Sequence, residues 1–208
     1  RHPVLSVAES ALALFTGRGA RDSALGEEAV ARQPDAWSRA MVRLLRGAMC
    51  ENDGRPGEQR AELEAAAEGF RRVGDRWGLS MTLTSLGDLA ARRGDLGAAR
   101  AALEEARRLL RELRADEDGS STDIRLAAVR ARQGESEAAR ARLRELTARA
   151  EREGSVYLAV YGNLVLGDVL RWGGERHEAG RRYAAALAQL ERGPYVQPQL
   201  SALARASA

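Results

Sequence analysis

The stretch RRGDLGAARAALEEARRLL, residues 92–110, is rich in arginine and otherwise mostly small or apolar. Such a segment can be a basic nucleic-acid surface, a catalytic segment or one unit of a repeated scaffold, and recurrence of its spacing decides between them. The spacing recurs. Gly54, Gly94, Gly134 and Gly174 stand forty residues apart and open GRPGEQRAEL, GDLGAARAAL, GESEAARARL and GERHEAGRRY. Ala99, Ala139 and Ala179 follow their glycines by five; Leu63, Leu103, Leu143 and Tyr183 follow by nine. Gly47, Gly87, Ala127 and Gly167 precede them by seven. A fixed period of this length marks a repeat architecture and is read before any local motif.

Each frame reads as two helices. The first carries apolar residues at helical spacing, as in Leu83, Leu86 and Ala90 or Tyr157, Val160 and Leu164, and ends at the glycine, which suits a left-handed cap. Asp or Glu often follows, where the helix dipole favours negative charge. The small residues at seven before and five after the glycine let the two helices approach, and the apolar residue nine after it is expected to fill the space between neighbouring hairpins. A lone hairpin cannot bury its apolar face, whereas a stack can. The expected pairs are 35–52 with 57–73, 77–93 with 95–114, 120–133 with 135–152, and 156–172 with 175–191. A weaker pair covers 5–16 and 22–32, and a capping helix is expected at 198–206. Asp116-Glu-Asp-Gly-Ser-Ser-Thr-Asp123 reads as the main exposed connection. The whole of 1–208 is expected to form one all-α domain, an α-solenoid of antiparallel hairpins.

Composition agrees with helices. Apolar residues make up 44% and aromatics only 4%, with alanine and leucine abundant, which favours close-packed helices over a large sheet. All 33 basic residues are arginine. Lysine chemistry is thereby excluded, as is a phosphate loop ending in Gly-Lys-Ser/Thr. The 30 acidic residues nearly balance the arginines and interleave with them; Arg100, Glu104, Arg108 and Glu112 fall four apart. That is surface pairing, worth roughly 0.2–0.5 kcal/mol per pair, rather than a nucleic-acid footprint. Cys50 is the only cysteine, so neither an intrachain disulfide nor a cysteine-based metal cluster can form. Without a membrane-length apolar run or a signal segment, a cytoplasmic protein is expected, with no membrane partner. An opening Arg1-His-Pro-Val rather than methionine suggests a piece of a longer chain.

The forty-residue frame resembles a tetratricopeptide (TPR) repeat with lengthened helices. Beyond it, FRRVGDRWGLSMTLTSLGDLAARRGDLGAARAALEEA, residues 70–106, and ERGPYVQPQL, residues 191–200, resemble the C-terminal helical region of large actinobacterial transcriptional regulators. These are of the antibiotic-regulatory-protein and bacterial-transcriptional-activator type, or the related LuxR-type ATP-binding regulators. Exclusive arginine usage and high alanine content fit a GC-rich genome. The resemblance implies a sensor or interaction arm, without the DNA-binding helices or ATPase motifs of such regulators, whose partner is a protein, a peptide or the regulator's own ATPase module. A small-ligand-sensing solenoid and a TPR adaptor outside transcription are the alternatives, and homo-oligomerisation stays open.

In a helical-hairpin solenoid the first helices line a concave groove. The frame places there Met41, Leu44, Ala48, Glu51 and Asn52; Met81, Thr84, Asp88 and Arg92; Ser121, Ile124, Ala128 and Arg132; and Tyr161, Leu164, Asp168, Arg171 and Trp172. Arg92, Arg132, Arg171 and Trp172 form the most testable patch, since arginine holds carboxylates bidentately and tryptophan anchors interfaces. Asn52 and Asn163 are placed to grip a peptide backbone. The competing reading pairs these arginines with Asp88 and Asp168 and assigns Trp37, Trp77 and Trp172 to hairpin packing.

Nothing points to an enzyme, a metal or a cofactor. His177, beside Glu175 and Glu178, reads as helix surface, and two carboxylates with one imidazole at those offsets match no metal site. Cys50 has no histidine near in sequence to activate it and reads as a buried inert thiol. No Gly-x-Ser-x-Gly elbow supports a hydrolase. Glu104 and Glu105 point a hundred degrees apart on a helix and cannot serve one substrate.

Overall fold

The computed structural model describes Val7, Ala8, Ala11 and residues 27–192. The chain divides into two compact units, Arg1–Arg114 and Ala115–Ala208. In the first lie α1 (Glu27–Ala31), α2 (Ala36–Asn52), α3 (Pro56–Val73), α4 (Arg76–Arg92) and α5 (Leu96–Glu112). In the second lie α6 (Asp116–Arg132), α7 (Ser136–Glu153), α8 (Val156–Trp172) and α9 (Arg176–Arg192). The helix expected at 5–16 and the capping helix at 198–206 fall largely or wholly outside the described residues; α1 is the described end of the segment expected at 22–32. Within each unit every helix packs on the next, and alternate first helices also touch, α2 on α4 and α6 on α8. The described residues are thus an all-α array with sequential pairwise packing, the generic TPR-like arrangement.

The turns repeat at half the period read from the sequence. Gly54, Gly74, Gly94, Gly134, Gly154 and Gly174 have φ between 67° and 99°, and Arg114 has φ 55°. A left-handed residue therefore ends every helix from α2 to α8, twenty residues after the last. At Gly74 the pattern is complete: its amide donates to Arg71 O at 3.3 Å and that of Asp75 to Phe70 O at 3.0 Å. These bonds satisfy carbonyls that the helix end leaves over. Asp35, Asp75 and Asp95 then cap α2, α4 and α5, accepting from Ser38 N at 2.8 Å, Gly78 N at 3.0 Å and Ala98 N at 3.0 Å. Asp75 also accepts from Trp37 Nε1 at 2.8 Å, tying the start of α2 to the start of α4.

Inside three of the four hairpins a glycine faces a large side chain, and in the α6–α7 hairpin Ala127 holds that place. A Cβ at Gly47 would stand 2.6 Å from Leu63 Cδ2, one at Gly87 2.7 Å from Leu103 Cγ, and one at Gly167 2.5 Å from Tyr183 Cε1. The apolar residue nine after the turn therefore packs against the first helix of its own hairpin, not between hairpins as its spacing suggested. Leu63, Leu103 and Leu143 are wholly buried there, alongside Ala99 and Ala139, and Ala179 and Tyr183 hold the matching places in the last hairpin.

The segment Asp116–Asp123 is not a connection but the first two turns of α6. Its Ser, Gly and Asp content mimics a loop, yet Asp116, Glu117 and Asp118 sit where the helix dipole welcomes negative charge, and Thr122 Oγ1 bonds back to Asp118 O at 2.9 Å. The twenty-residue phase, with Arg114 in the left-handed place, overrides local composition. Elsewhere the expected helices match to within three residues.

Two outcomes follow for stability, both measured as urea-denaturation midpoints. Arg114→Gly removes a side chain from a left-handed residue and raises stability by about 1 kcal/mol after the entropy of the extra glycine is subtracted. Gly87→Val crowds the fully buried Leu103 and lowers stability by about 2–3 kcal/mol; an unchanged midpoint would show that the hairpin can open without cost.

Candidate interaction face

The first helices of each hairpin carry the candidate face, and each unit has its own. In the first unit Arg92, in the last turn of α4, reaches Glu51 of α2 at 2.9 Å and Gln59 Oε1 of α3 at 3.4 Å. Gln59 is buried and donates from Nε2 to Glu51 Oε2 at 3.0 Å. Arg92 therefore ties its own helix to the preceding hairpin, using Glu51 as the acid. Asn52 is exposed at the end of α2, and Asp88 is half-buried on α4.

In the second unit the centre of the α6–α8 face is aromatic. The rings of Tyr157 and Tyr161 stack with centroids 6.1 Å apart and planes 17° from parallel. The guanidinium carbon of Arg125 lies 4.7 Å from the Tyr161 centroid, within cation–π range. Arg125 is held in turn by the carbonyl of Ser121 at 3.1 Å and by the Ser121 hydroxyl. Tyr157, Tyr161, Arg125 and Ser121 are all half-buried, the two rings packing in part on the core of the second unit and leaving the rest of the stack to solvent.

At the far end of α8, Tyr183 of α9 donates its hydroxyl to Asp168 Oδ1 at 2.8 Å. Arg171 donates from Nε to the same hydroxyl oxygen at 3.3 Å and from Nη2 to Asp168 Oδ1 at 3.5 Å. Burial pushes the Tyr183 phenol above its ordinary value, and the Asp168 carboxylate that accepts its proton adds to the rise. Tyr183 is only 4% exposed, so this triad joins core to rim. Trp172 beside it is 50% exposed. Arg132 is exposed in the last turn of α6.

Of the residues expected on the groove, the structure moves several inward. Asn163 is fully buried and donates to Glu151 Oε1 at 3.1 Å and to Ala159 O at 3.0 Å, so it cannot grip a peptide. Ile124 and Leu164 belong to the core of the second unit, and Thr84 is buried in the first. Arg125 and Tyr157, which the frame did not place on the face, take it instead. Ser121, Ala128 and Arg132 keep the places the frame gave them, and Arg125, one turn on from Ser121, joins them where Ile124 was expected. Arg92 belongs to the first unit and Arg132, Arg171 and Trp172 to the second.

Burial pushes the Cys50 thiol up, away from the reactive thiolate. His177 is exposed in the first turn of α9, against Arg181. Among the described residues no group of three or more His, Cys, Asp or Glu side chains is placed to hold a metal, and no helix is long and apolar enough to cross a membrane. Arg60–Glu64 at 2.7 Å, Arg100–Glu104 at 2.9 Å, Arg108–Glu112 at 2.6 Å and Arg149–Glu153 at 2.8 Å make solvated i,i+4 ladders on the second helices.

Tyr183→Phe takes the hydroxyl from Asp168 and costs about 1 kcal/mol at neutral pH. A raised phenol contributes stability that is complete below its unfolded value of 10.0 and is lost as pH rises through the higher folded value. Wild type therefore weakens across that window, and the phenylalanine variant escapes this part of the loss; denaturation midpoints at neutral and alkaline pH for the two proteins check the sign. No protein-family model matches the sequence, and no curated protein matches it closely enough to show a family.

Proposed function

We propose that this chain is a non-enzymatic protein-interaction module, the regulatory arm of a bacterial transcriptional regulator. Its first-helix faces take a protein, a peptide or the regulator's own ATPase module. The observation that carries the reading is the Arg125–Tyr161–Tyr157 stack with Trp172 exposed on the same helix as the tyrosines. Tyrosine, tryptophan and arginine are the residue types that dominate binding energy at interfaces. The stack is pre-ordered by Ser121, so little side-chain entropy remains to be lost when a partner docks. The arginine–glutamate ladders on the second helices already neutralise one another, which speaks against direct nucleic-acid binding.

Affinity capture from the native cell's lysate tests this, with the chain as bait and a Tyr161→Ala/Trp172→Ala variant as control. Each anchor is expected to contribute about 2 kcal/mol, so the variant loses its partner by a factor of roughly a thousand in Kd. Circular dichroism of the variant shows that it remains folded. A retained ATPase module or regulator fragment identifies the arm of a transcription factor, and an unrelated protein identifies an adaptor outside transcription. If both baits retain the same set, the face is not the binding site.

A further inference from the structure

The forty-residue frame contains a recess whose lining changes from hairpin to hairpin, and it is widest where that lining is alanine. Between α4 and α5, backed by α3, lies a cavity of about 210 Å³. Leu86, Leu89 and Ala90 of α4 form one wall, and Ala98 and Ala102 of α5 the other. Forty residues on, the matching recess between α6 and α7 measures only about 70 Å³, because Arg130 and Arg142 stand where Ala90 and Ala102 stand here. Forty residues back, the place of Ala102 is taken by Glu62, which is buried and bound by Arg46 at 2.8 Å and Arg43 at 3.0 Å. In the last hairpin it is Arg182, paired with Glu178 at 3.1 Å. Among the four described hairpins a long charged side chain thus occupies this position in all but the second.

The mouth of the open recess has a defined charge pattern. Glu64 is engaged by Arg60 at 2.7 Å, and Asp95 Oδ1 accepts from Ala98 N at 3.0 Å. Arg93 also lines the recess, and its guanidinium has no ion-pair or hydrogen-bond partner among the described residues. A dry apolar cavity of about 150 Å³ suffices for benzene, whereas drug-sized ligands need about 300 Å³ or more. We propose that this recess binds a small organic acid, a single ring or short alkyl chain lying against Ala90, Ala98 and Ala102, with its carboxylate held by Arg93. The apolar body replaces what Glu62 and Arg142 supply in the neighbouring frames, and the guanidinium meets the carboxylate through two parallel N–H donors. The site lies in the first unit, on helices other than those of the α6–α8 aromatic face, so its success or failure is independent of the protein-binding reading.

Titration of the ¹⁵N-labelled full chain with phenylacetate, followed by amide chemical shifts, tests the site, with phenylacetamide as the uncharged isostere. Phenylacetate is expected to move the amides of Leu86, Ala90, Ala98 and Ala102 in a saturable way, and phenylacetamide to bind about tenfold more weakly. Arg93→Gln removes that difference while leaving the amide's affinity as it was. Ala102→Arg, which copies the residue the next frame already carries, abolishes binding of both while the rest of the spectrum stays folded. Absence of saturable shifts at about 10 mM ligand, ten times a millimolar Kd, equal binding of acid and amide, or binding that survives Ala102→Arg each overturns the proposal.

Discussion

The close approach of a glycine, or in one hairpin an alanine, to a large side chain sets the rest of the architecture. Gly47 lies under Leu63, Gly87 under Leu103 and Gly167 under the ring of Tyr183, each so near that a Cβ would overlap. The large residue therefore packs directly on the first helix's backbone as well as on the apolar side chains around it. Dispersion contacts to backbone atoms at this range are numerous and do not require a mobile side chain to be ordered first. The approach works only if both helices have the same length and phase, and the left-handed residue every twenty positions supplies that phase. With helices of seventeen or eighteen residues throughout α2 to α9, the contact recurs at the same height in every hairpin that carries it.

Charge is used in two distinct ways on this scaffold. On the second helices, arginine and glutamate four apart neutralise one another in water, where each pair adds little to stability. Between helices the same residue types do structural work. Glu62 is only 8% exposed at its side chain and is held by Arg46 and Arg43, so removing both cations strands a desolvated carboxylate. Arg92 with Glu51 and Gln59 couples α4 to α2 and α3 in the same manner. Arginine suits these places because its planar fork can serve two partners at once, as it does at Arg171 between Asp168 and Tyr183. An all-arginine basic complement is therefore matched to a fold that needs bridging cations.

The sequence made the period legible because glycine is the one residue whose absence of a side chain shows directly in the text. Gly94, Gly134 and Gly174 mark turns, and Gly87 and Gly167 mark close contacts, without any knowledge of tertiary structure. What stayed hidden has a common cause. Arg114 performs the left-handed turn without a glycine, so no turn signal stood before α6 and its acidic start passed for a loop. Asn163 looked like a surface group because asparagine usually is one, but its Nδ2 reaches both Glu151 and its own helix's Ala159 carbonyl inside, while its Oδ1 is buried without a partner. The face was found with most of its positions, Ser121, Arg132, Tyr161 and Trp172 among them, while Ile124 and Leu164 on its edge turned inward. A one-residue error turns a helix by a hundred degrees, enough to exchange Ile124 for Arg125.

Repetition also shows where the chain is free to vary. The contact positions are held to a narrow set, glycine or alanine on the first helix and leucine or tyrosine on the second, because the space between the helices is fixed by backbone. The positions that flank the recess obey no such limit: Cys50, Ala90, Arg130 and Leu170 share one place, and Glu62, Ala102, Arg142 and Arg182 another. A side chain there does not decide whether the hairpin forms, only what fills the space beside it. Individual frames can then acquire an ion pair, an apolar plug or an open pocket at little cost to the fold. In a scaffold built this way, chemistry specific to one frame lies where the repeat is least faithful, and the faithful positions report packing.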